Sequence, residues 1–505
     1  MDSEVGRKMS KSANVAVGVV IAVAALGTAG AWYTGTQLDG VLRDSIDNAN
    51  RQFKSSFSGT DDSMSVELVS LDRHLFTSTA HYRVNVQSKS LGKNNEKIEL
   101  LFVDNIEHGP LPFSRLRSLK LLPVMASSNY EIEKNAFSEK WFAMTNGAAP
   151  LKGSASIGYD RATEGTLQLL PLDINDKDGM FKFSGLDLAV AASADAEKLK
   201  ITGNMDNLQL NVASEQGPVS VELHGVTFDT GGTKGASGFY LGHSNLKVAS
   251  ALFQIGDKPP VLFKDFVNTS LMQEADSNLS AQVTYDIGMI NYNGKDIGAS
   301  QMLWKFGNFD VASTQALLHF FQEKVQPQQQ AAAQAGIPFK LKLSDADQAK
   351  MNADLAKLLN AKPHIELEKI SLKTANGESH FSLAVDLKNP GPLDQPPAEV
   401  GRKMIGELNA KLLLSQPMIK DVASLQASLN GLTDPKAIAE QAQGASDMVS
   451  GMAVMTQLAK VEGENVVSDL HYANDIVDFN GQKMTVQQFF SMVTSRLGGL
   501  STTDQ

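Results

Sequence analysis

The sequence predicts an α+β protein: an N-terminal transmembrane helix, then a large, antiparallel, curved strand-rich body with helices packed on it, mainly from the C-terminal half. Three observations predict this class. Residues 12–33 carry no charge, apolar residues alternate with polar ones from Met64 onward, and the apolar spacing becomes helical beyond Val311. We therefore expect an anchor, a strand-rich region and a helix-rich region, in that order.

The N-terminal 33 residues predict a membrane anchor with its N-terminus in the cytoplasm. A run of about 20 uncharged residues matches the thickness of a bilayer, and the basic residues that precede it place residues 1–11 inside. Cleavage of a signal peptide near Ala29-Gly30-Ala31 is the alternative. The residues expected to contact lipid are Val15, Val19, Ile21, Val23, Leu26, Trp32 and Tyr33.

The exported part begins with a predicted helical stalk, residues 34–60, in which Leu42, Ile46 and Phe53 recur at helical spacing. Residues 61–311 form the strand-rich region. Several two-periodic segments there are followed by glycine and another strand, as in Phe181–Leu186. This pattern fits either a loose internal repeat or a series of ordinary hairpins with a glycine at each bend.

Residues 312–505 form the predicted helix-rich region. A helix is expected to end near Pro327, followed by a Gln/Ala-rich connector over 326–336 and by a helix capped by Ser344. A hairpin with Asn480-Gly481 as its turn is expected near the end. The other predicted elements are strands at 364–372 and 379–387 and helices at 398–414, 418–429, 435–461 and 485–497.

Composition excludes several classes of function. The chain has 505 residues, no cysteine and a net charge of −11, so disulfide scaffolds and cysteine chemistry are excluded and nucleic acid is not an expected partner. No phosphate loop, zinc-protease or EF-hand motif occurs, and no cofactor or metal is expected. Asp229-Thr230-Gly231 resembles the catalytic loop of an aspartic protease, but a single copy would need a homodimer.

A methionine-rich stripe, defined by Met448, Met452, Met455 and Leu458, lies in the helix before the terminal hairpin. Methionine fills gaps in cores and also recurs at surfaces that accept varied apolar ligands. Packing against the sheet and an apolar, lipid-facing groove are therefore the two interpretations.

The most distinctive local string surrounds Gly109-Pro110, where Ile106-Glu107-His108 precede and Pro112 follows. Together with Trp32-Tyr33 and the terminal Asn480-Gly481, this string resembles the YdgA family, over nearly the whole length and in the same order. The resemblance implies a bacterial inner-membrane-anchored periplasmic protein of unknown function. It implies no catalytic residues.

These observations favour a non-enzymatic envelope protein that binds an apolar or lipid ligand, because a curved sheet with one apolar face forms a trough wherever helices leave it uncovered. A scaffold that binds an envelope protein, or forms a homo-oligomer through the anchor, is the alternative. An aspartic-type hydrolase using Asp229 is a remote one.

Overall fold

The computed structural model describes residues 42–43, 46–47, 49–51, 53, 63–87, 97–176, 179–214, 217–334, 336–393 and 395–498. The predicted anchor, residues 12–33, lies outside the described residues. Among the helices that are described, none combines the length and apolarity needed to cross a bilayer. The chain divides into two compact units. Unit 1 contains the described residues up to Val212 with 224–240 and 319–343, and unit 2 contains the rest.

Unit 1 is built on antiparallel strands in which each pairs mainly with its neighbour in the chain. Short helices α1 (Phe113–Arg117) and α2 (Glu139–Met144) lie in the connections on either side of β4. The strands are β1 (Ser63–Arg73), β2 (Thr77–Gln87), β3 (Lys97–His108), β4 (Ala126–Ile132), β5 (Leu151–Ile157), β6 (Thr163–Leu169), β7 (Leu172–Asp176), β8 (Gly179–Phe183), β9 (Leu186–Ala192) and β10 (Lys198–Val212).

One hairpin of unit 1 is interrupted on both strands. β6 pairs with β9 and β7 pairs with β8, while β10 pairs first with β9 and then with β8. The break between β8 and β9 falls at Gly185, whose φ of 101° favours glycine and whose Cβ position would lie 2.7 Å from the Leu169 carbonyl oxygen. The strand–glycine–strand pattern at Phe181–Leu186 therefore marks an interruption within one hairpin.

The helical residues near the start of the described chain pack onto this sheet. Leu42, Ile46, Ala49 and Phe53 are buried and belong to the same apolar cluster as Val66 of β1. These apolar residues of the predicted helical stalk, 34–60, therefore contribute to the core.

A side chain from this helical segment completes the hydrogen bonding of β1. Val66 faces Val84 of β2 in the ladder, and Asn50 binds the remaining backbone groups of Val66. The Val66 N–H donates to Asn50 Oδ1 at 2.8 Å, and Asn50 Nδ2 donates to the Val66 carbonyl oxygen at 2.9 Å. One amide thus replaces a neighbouring strand at that position.

The core of unit 1 contains a carboxyl group. Asp104 of β3 has no exposed surface, and among the described atoms its Oδ2 has no hydrogen-bond partner, while Oδ1 accepts from the Ser128 hydroxyl. Burial raises the pKa of Asp104 to about 7. Burial, and to a smaller extent the negative charge of Asp104, raises the pKa of Tyr82.

Unit 2 is a longer antiparallel series: from β12 to β22, each described strand pairs antiparallel with its neighbours. β11 (Val219–Lys234) is shared between the two units. The strands are β12 (Tyr240–Ile255), β13 (Val261–Ala275), β14 (Asn278–Tyr292), β15 (Lys295–Asp310), β16 (His364–Lys373), β17 (Glu378–Leu387), β18 (Ile405–Ser415), β19 (Lys460–Glu462), β20 (Asn465–Ala473), β21 (Ile476–Phe479) and β22 (Gln482–Thr485).

The longer helices follow β15, as the sequence predicts. Their order confirms a strand-rich antiparallel body with helices mostly in the C-terminal half. They are α3 (Val311–Phe320), a π-helical segment (Phe321–Val325), α4 (Gln326–Gln334), α5 (Asp345–Asn360), α6 (Pro397–Met404), α7 (Gln416–Leu429), α8 (Pro435–Thr456) and α9 (Val486–Gly498).

Two local predictions are confirmed in atomic detail. The Asp347 N–H donates to the Ser344 hydroxyl at 3.1 Å, which makes Ser344 the N-cap of α5. Asn480 and Gly481 have φ values of 53° and 85° between the paired residues Phe479 and Gln482. Positive φ at both central residues is the requirement of the tight hairpin turn.

The prediction of a helix over 398–414 is wrong beyond Met404. Residues 405–415 form β18, which pairs with β17 on one side and with β20 on the other. Leu408, Ala410 and Leu412 alternate with polar neighbours, so the segment has a two-residue period that suits a central strand.

The predicted connector over 326–336 is also wrong, because residues 326–334 are helical. Glutamine and alanine both favour helix. The helix is continuous from 311 to 334, and Pro327 lies just after its π-helical segment, a type of irregularity at which helices accommodate local changes in hydrogen bonding. The helix therefore does not end near Pro327, as its position suggested.

Replacing Asn50 with alanine should lower the free energy of unfolding by about 1–3 kcal/mol, because the Val66 N–H and carbonyl would lose their partners. Chemical denaturation measures the change. Asn211→Ala, at an exposed position on β10, is the control and should have little effect. Equal stability of N50A and the parent protein would contradict this interpretation.

Because the carboxyl group of Asp104 is buried, we expect the free energy of unfolding to fall as pH rises from about 4 to about 8. The folded state keeps a proton up to a pKa of about 7, whereas the unfolded carboxyl releases it near its ordinary value, so stability is lost through this window, on the order of 4 kcal/mol.

Asp104→Asn keeps a neutral group of the same shape, so it should remove this fall and be more stable than the parent at pH about 8. Denaturation curves across the pH range measure it. The exposed Asp187→Asn serves as the control, and identical pH profiles for D104N and the parent would exclude a buried titration at this site.

Candidate functional site

The most extensive candidate binding surface of unit 2 is one face of its sheet. Residues that stand opposite each other on paired strands share a face, so the register assigns side chains to the two faces directly. Three adjacent rows across β14, β15, β16, β17, β18 and β20 define what we call the apolar face. They are Val283–Trp304–Leu367–Leu383–Ala410–Leu470, Ala281–Phe306–Ile365–Val385–Leu408–Tyr472 and Tyr285–Met302–Ile370–Phe381–Leu412–Ser468.

The opposite face of the same strands is polar. Its central row is Gln282–Lys305–Glu366–Ala384–Asn409–His471. Polar side chains pair with each other there: Lys305 forms an ion pair with Glu368, and Gln301 donates to Asp286 at 2.7 Å. This face is suited to water, so the two faces of the sheet differ sharply in chemistry.

The apolar face is only partly covered. Of its 18 residues, Leu367 alone is buried, at 8% exposure, whereas Tyr285 and Ile370 are 36% and 42% exposed. Helices α5 and α7 contact β15, and α6 and α7 contact β18, yet the other 17 side chains of the apolar face are half-buried or exposed. In unit 1, by contrast, Tyr82 and Phe102 are each 1% exposed.

Aromatic rings are concentrated at one edge of the apolar face. The rings of Trp304 and Phe306 stack with centroids 6.0 Å apart, and Phe306 meets Phe309 edge-on at 6.3 Å. Aromatic side chains bury large areas when a ligand or another surface covers them. This edge is therefore the part of the apolar face with the most contact area to offer.

The Ile106–Pro112 string lies at the exit of β3 and positions the segment that follows. The Glu107 carboxylate accepts from the backbone N–H and the hydroxyl of Ser114, both at 2.8 Å, and so holds the start of α1. His108 Nε2 lies 3.0 Å from the Ser78 hydroxyl, and Ile106 is buried. Their contacts are with residues of their own unit, which indicates a structural role.

Gly109 belongs to the same string and leaves no room for a side chain. Its Cβ position would lie 1.9 Å from the Val124 carbonyl oxygen, and its N–H donates to the Met125 carbonyl at 2.6 Å. The two ends of the segment 109–125 are thus held together, and we call this contact between Gly109 and residues 124–125 the clamp. Pro110 and Pro112 lie within the segment that the clamp closes.

The methionine stripe faces outward. Met448, Met452 and Met455 are 61%, 37% and 66% exposed, and the buried residues of α8 are Ala442, Ser446, Ala453 and Thr456. Packing of these methionines against the sheet is therefore wrong, because the buried residues of α8 are the small ones. The groove interpretation, which includes the half-buried Leu458, stays a prediction.

Two further sequence candidates have defined surroundings. Asp229 lies inside β11, not in a loop, and its carboxylate is 3.8 Å from the Lys200 ammonium. Asn480 supports the terminal hairpin: its Oδ1 accepts from the Asp469 N–H at 2.9 Å and its Nδ2 donates to the Leu458 carbonyl at 3.2 Å. Within the described part of the chain, no group of three or more potential metal ligands converges.

Sequence patterns predict only part of the apolar face. The predicted strands at 364–372 and 379–387 belong to it, but the predicted helix over 398–414 excludes Leu408 and Leu412. Their two-residue period was the signal that could have found them. The anchor residues Val15, Val19, Ile21, Val23, Leu26, Trp32 and Tyr33 lie outside the described residues.

The fold and this face together define a strand-rich protein with an extended apolar surface. The chain belongs to a family described as bacterial protein of unknown function (DUF945), whose profile matches residues 9–487. The chain is similar to Protein YdgA of Escherichia coli, with 26% identity over 503 residues that cover 96% of this chain and 97% of that protein.

A second Escherichia coli relative, uncharacterized protein YihF, is 22% identical over 487 residues, or 94% of this chain and 98% of its own. An uncharacterized Haemophilus influenzae protein is 26% identical over 159 residues, 32% of this chain and 42% of that one. No solved structure matches. The resemblance to the YdgA family is thereby confirmed.

Gly109→Ala should lower the free energy of unfolding by roughly 1–3 kcal/mol, because the added methyl group would meet backbone that cannot move without disrupting the clamp. Thermal or chemical denaturation measures it. Gly444→Ala in α8, where nothing lies within 4 Å of the Cβ position, is the matched control and should stabilise by up to about 1 kcal/mol. A neutral G109A would show that the clamp is dispensable.

Proposed function

We propose that this protein is a non-enzymatic lipid-binding protein of the bacterial cell envelope, anchored in the inner membrane by residues 12–33 with its body in the periplasm. The uncharged N-terminal run and the preceding basic residues support the location. The partly exposed apolar face of unit 2 supports the lipid ligand, and it is the observation on which the proposal rests.

The area of the apolar face favours an apolar ligand. Monomeric proteins rarely expose contiguous apolar patches of more than a few hundred Å² without a function in binding. The three rows run across six strands, and at about 4.8 Å between neighbouring strands the face is roughly 24 Å wide. Such a strip fits an extended hydrocarbon chain better than a compact ligand, which would need a closed pocket.

The chemistry of the face also matches a hydrocarbon chain. Across the three rows the polar side-chain groups are the hydroxyls of Ser468, Tyr285 and Tyr472, at the ends of the rows, and the indole N–H of Trp304. The interior of the face therefore offers few hydrogen bonds, and affinity would come from buried apolar area. A headgroup would have to lie beyond the rows.

Trp304 allows a direct test, because it lies within the apolar face and the chain has only three tryptophans. In the full-length Trp32→Phe/Trp141→Phe protein, reconstituted in lipid nanodiscs, we expect a brominated fatty acid to quench Trp304 fluorescence saturably. The matched protein Trp32→Phe/Trp304→Phe keeps only Trp141 of unit 1, which should be quenched little.

Substitutions on the two faces sharpen the test. Ile370→Asp places a charge on the exposed part of the apolar face and should weaken the binding of the fatty acid at least about tenfold, since a charge would have to be desolvated. Ser382→Asp lies on the opposite face, beside Lys411, and should bind as the parent does. Equal quenching of Trp304 and Trp141, or no effect of I370D, would reject the proposal.

A scaffold that binds an envelope protein is the second candidate, and the exposed side of α8 favours it. Val454 is 64% exposed beside Met448 and Met455, and adaptable methionine surfaces accept protein partners as well as lipids. Crosslinking in membranes from a site at Met455 separates the two: a specific protein adduct with no fatty-acid binding at Trp304 would favour the scaffold.

A further inference from the structure

A second apolar surface lies in unit 1, at one end of its sheet. The ends of β1 and β3 and the starts of β2 and β4 meet there, because Thr77 pairs with Glu107 and His108 pairs with Ala126. The turn 74–76 and the segment 109–125 project from this end. The His108 N–H donates to the Phe76 carbonyl oxygen at 2.8 Å, so the two projections are adjacent.

Both projections expose large apolar side chains. We define the tip as Leu75, Phe76, Phe113, Leu119, Leu121 and Leu122, which are between 61% and 83% exposed. None of these six residues belongs to the buried apolar cluster of unit 1, nor to the partly buried residues packed against it. Six neighbouring leucine and phenylalanine side chains held in water are costly, and something that excludes water must compensate.

The charged side chains within the segment 109–125 are all basic, and the neighbouring Glu107 carboxylate is hydrogen-bonded to Ser114 of that segment. The segment 109–125 contains Arg115, Arg117 and Lys120 and has no acidic residue, although the chain as a whole carries −11. Arg73, the last residue of β1, lies directly before the adjacent turn. The Arg117 guanidinium lies 4.5 Å from the centre of the Phe113 ring, so cationic and apolar groups are interleaved.

Exposed leucine and phenylalanine within a ring of arginine and lysine is the composition of a surface that enters the headgroup region of a bilayer. The apolar side chains reach the acyl boundary and the basic side chains meet anionic lipid. A rigid base favours such docking, and the segment has one: Gly109 and Val124 are bonded to Met125 and Pro110, and Met125 donates to the Ile157 carbonyl at 2.8 Å.

We propose that the tip docks unit 1 onto the surface of a membrane that contains anionic lipid. This contact is separate from the apolar face of unit 2 and from the predicted anchor, so it would give the body its own attachment to a bilayer. The acidic remainder of the protein would stay away from the same surface by charge repulsion.

The absence of cysteine from the chain allows a site-specific probe in the full-length protein. Leu122→Cys places an environment-sensitive fluorophore on the tip. Lys140→Cys places it on α2, at the opposite end of β4, as the matched control. Each labelled protein is reconstituted into vesicles of phosphatidylcholine, with and without phosphatidylglycerol.

We expect the Leu122 probe to shift to the blue, and to become at least about fivefold less accessible to aqueous iodide, only in vesicles that contain phosphatidylglycerol. The Lys140 probe should stay in water in both. Arg117→Glu/Lys120→Glu should abolish the shift at Leu122 with an unchanged unfolding transition, and added salt should weaken it.

Three results would overturn the proposal: a Leu122 probe that stays in water in anionic vesicles, a blue shift of the same size in phosphatidylcholine alone, or a concentration-dependent shift without lipid, which would mean that a second copy covers the tip. Loss of fatty-acid binding at Trp304 would leave the docking of the tip unaffected, so the two proposals fail separately.

Discussion

Side-chain alternation along paired strands is the constraint on which the whole structure depends. Once strands pair in a fixed register, every second side chain is committed to the same face, and an apolar face must be covered or remain in contact with solvent. Unit 1 covers its face, since the residues around Tyr82 and Phe102 form a closed cluster to which the helical residues Leu42 and Phe53 contribute. Unit 2 extends the same pattern over more strands than its helices cover.

The apolar face of unit 2 corresponds to no short sequence motif. A catalytic or metal site is a short set of polar residues at fixed spacing, and such sets can be recognised in sequence. An apolar face is spread over six strands, from Ala281 to Tyr472, and each strand contributes residues of ordinary composition. Its members are related only by the register, so no short pattern identifies them.

Unit 1 places its charged groups in two contrasting environments. Asp104 is kept inside the core at the cost of a raised pKa, which is the usual response of a carboxyl that burial deprives of water. The basic residues of 109–125 are kept at the surface beside exposed leucines. Both arrangements cost stability, and costs of this kind are commonly found where a protein has a function to serve.

Local chemistry alone determined several elements: the cap at Ser344, the Asn480-Gly481 turn and the strands from Met64 onward follow from side chains that act on their own backbone or on a two-residue period. Only the tertiary structure decided that 405–415 is a strand, because β17 and β20 supply its hydrogen bonds. The tertiary structure also decided which apolar side chains are exposed to solvent. The sequence marks Met448, Trp304 and Leu119 as apolar, but whether water reaches them depends on distant segments that pack over them or do not, and packing between distant segments leaves no local pattern in the chain.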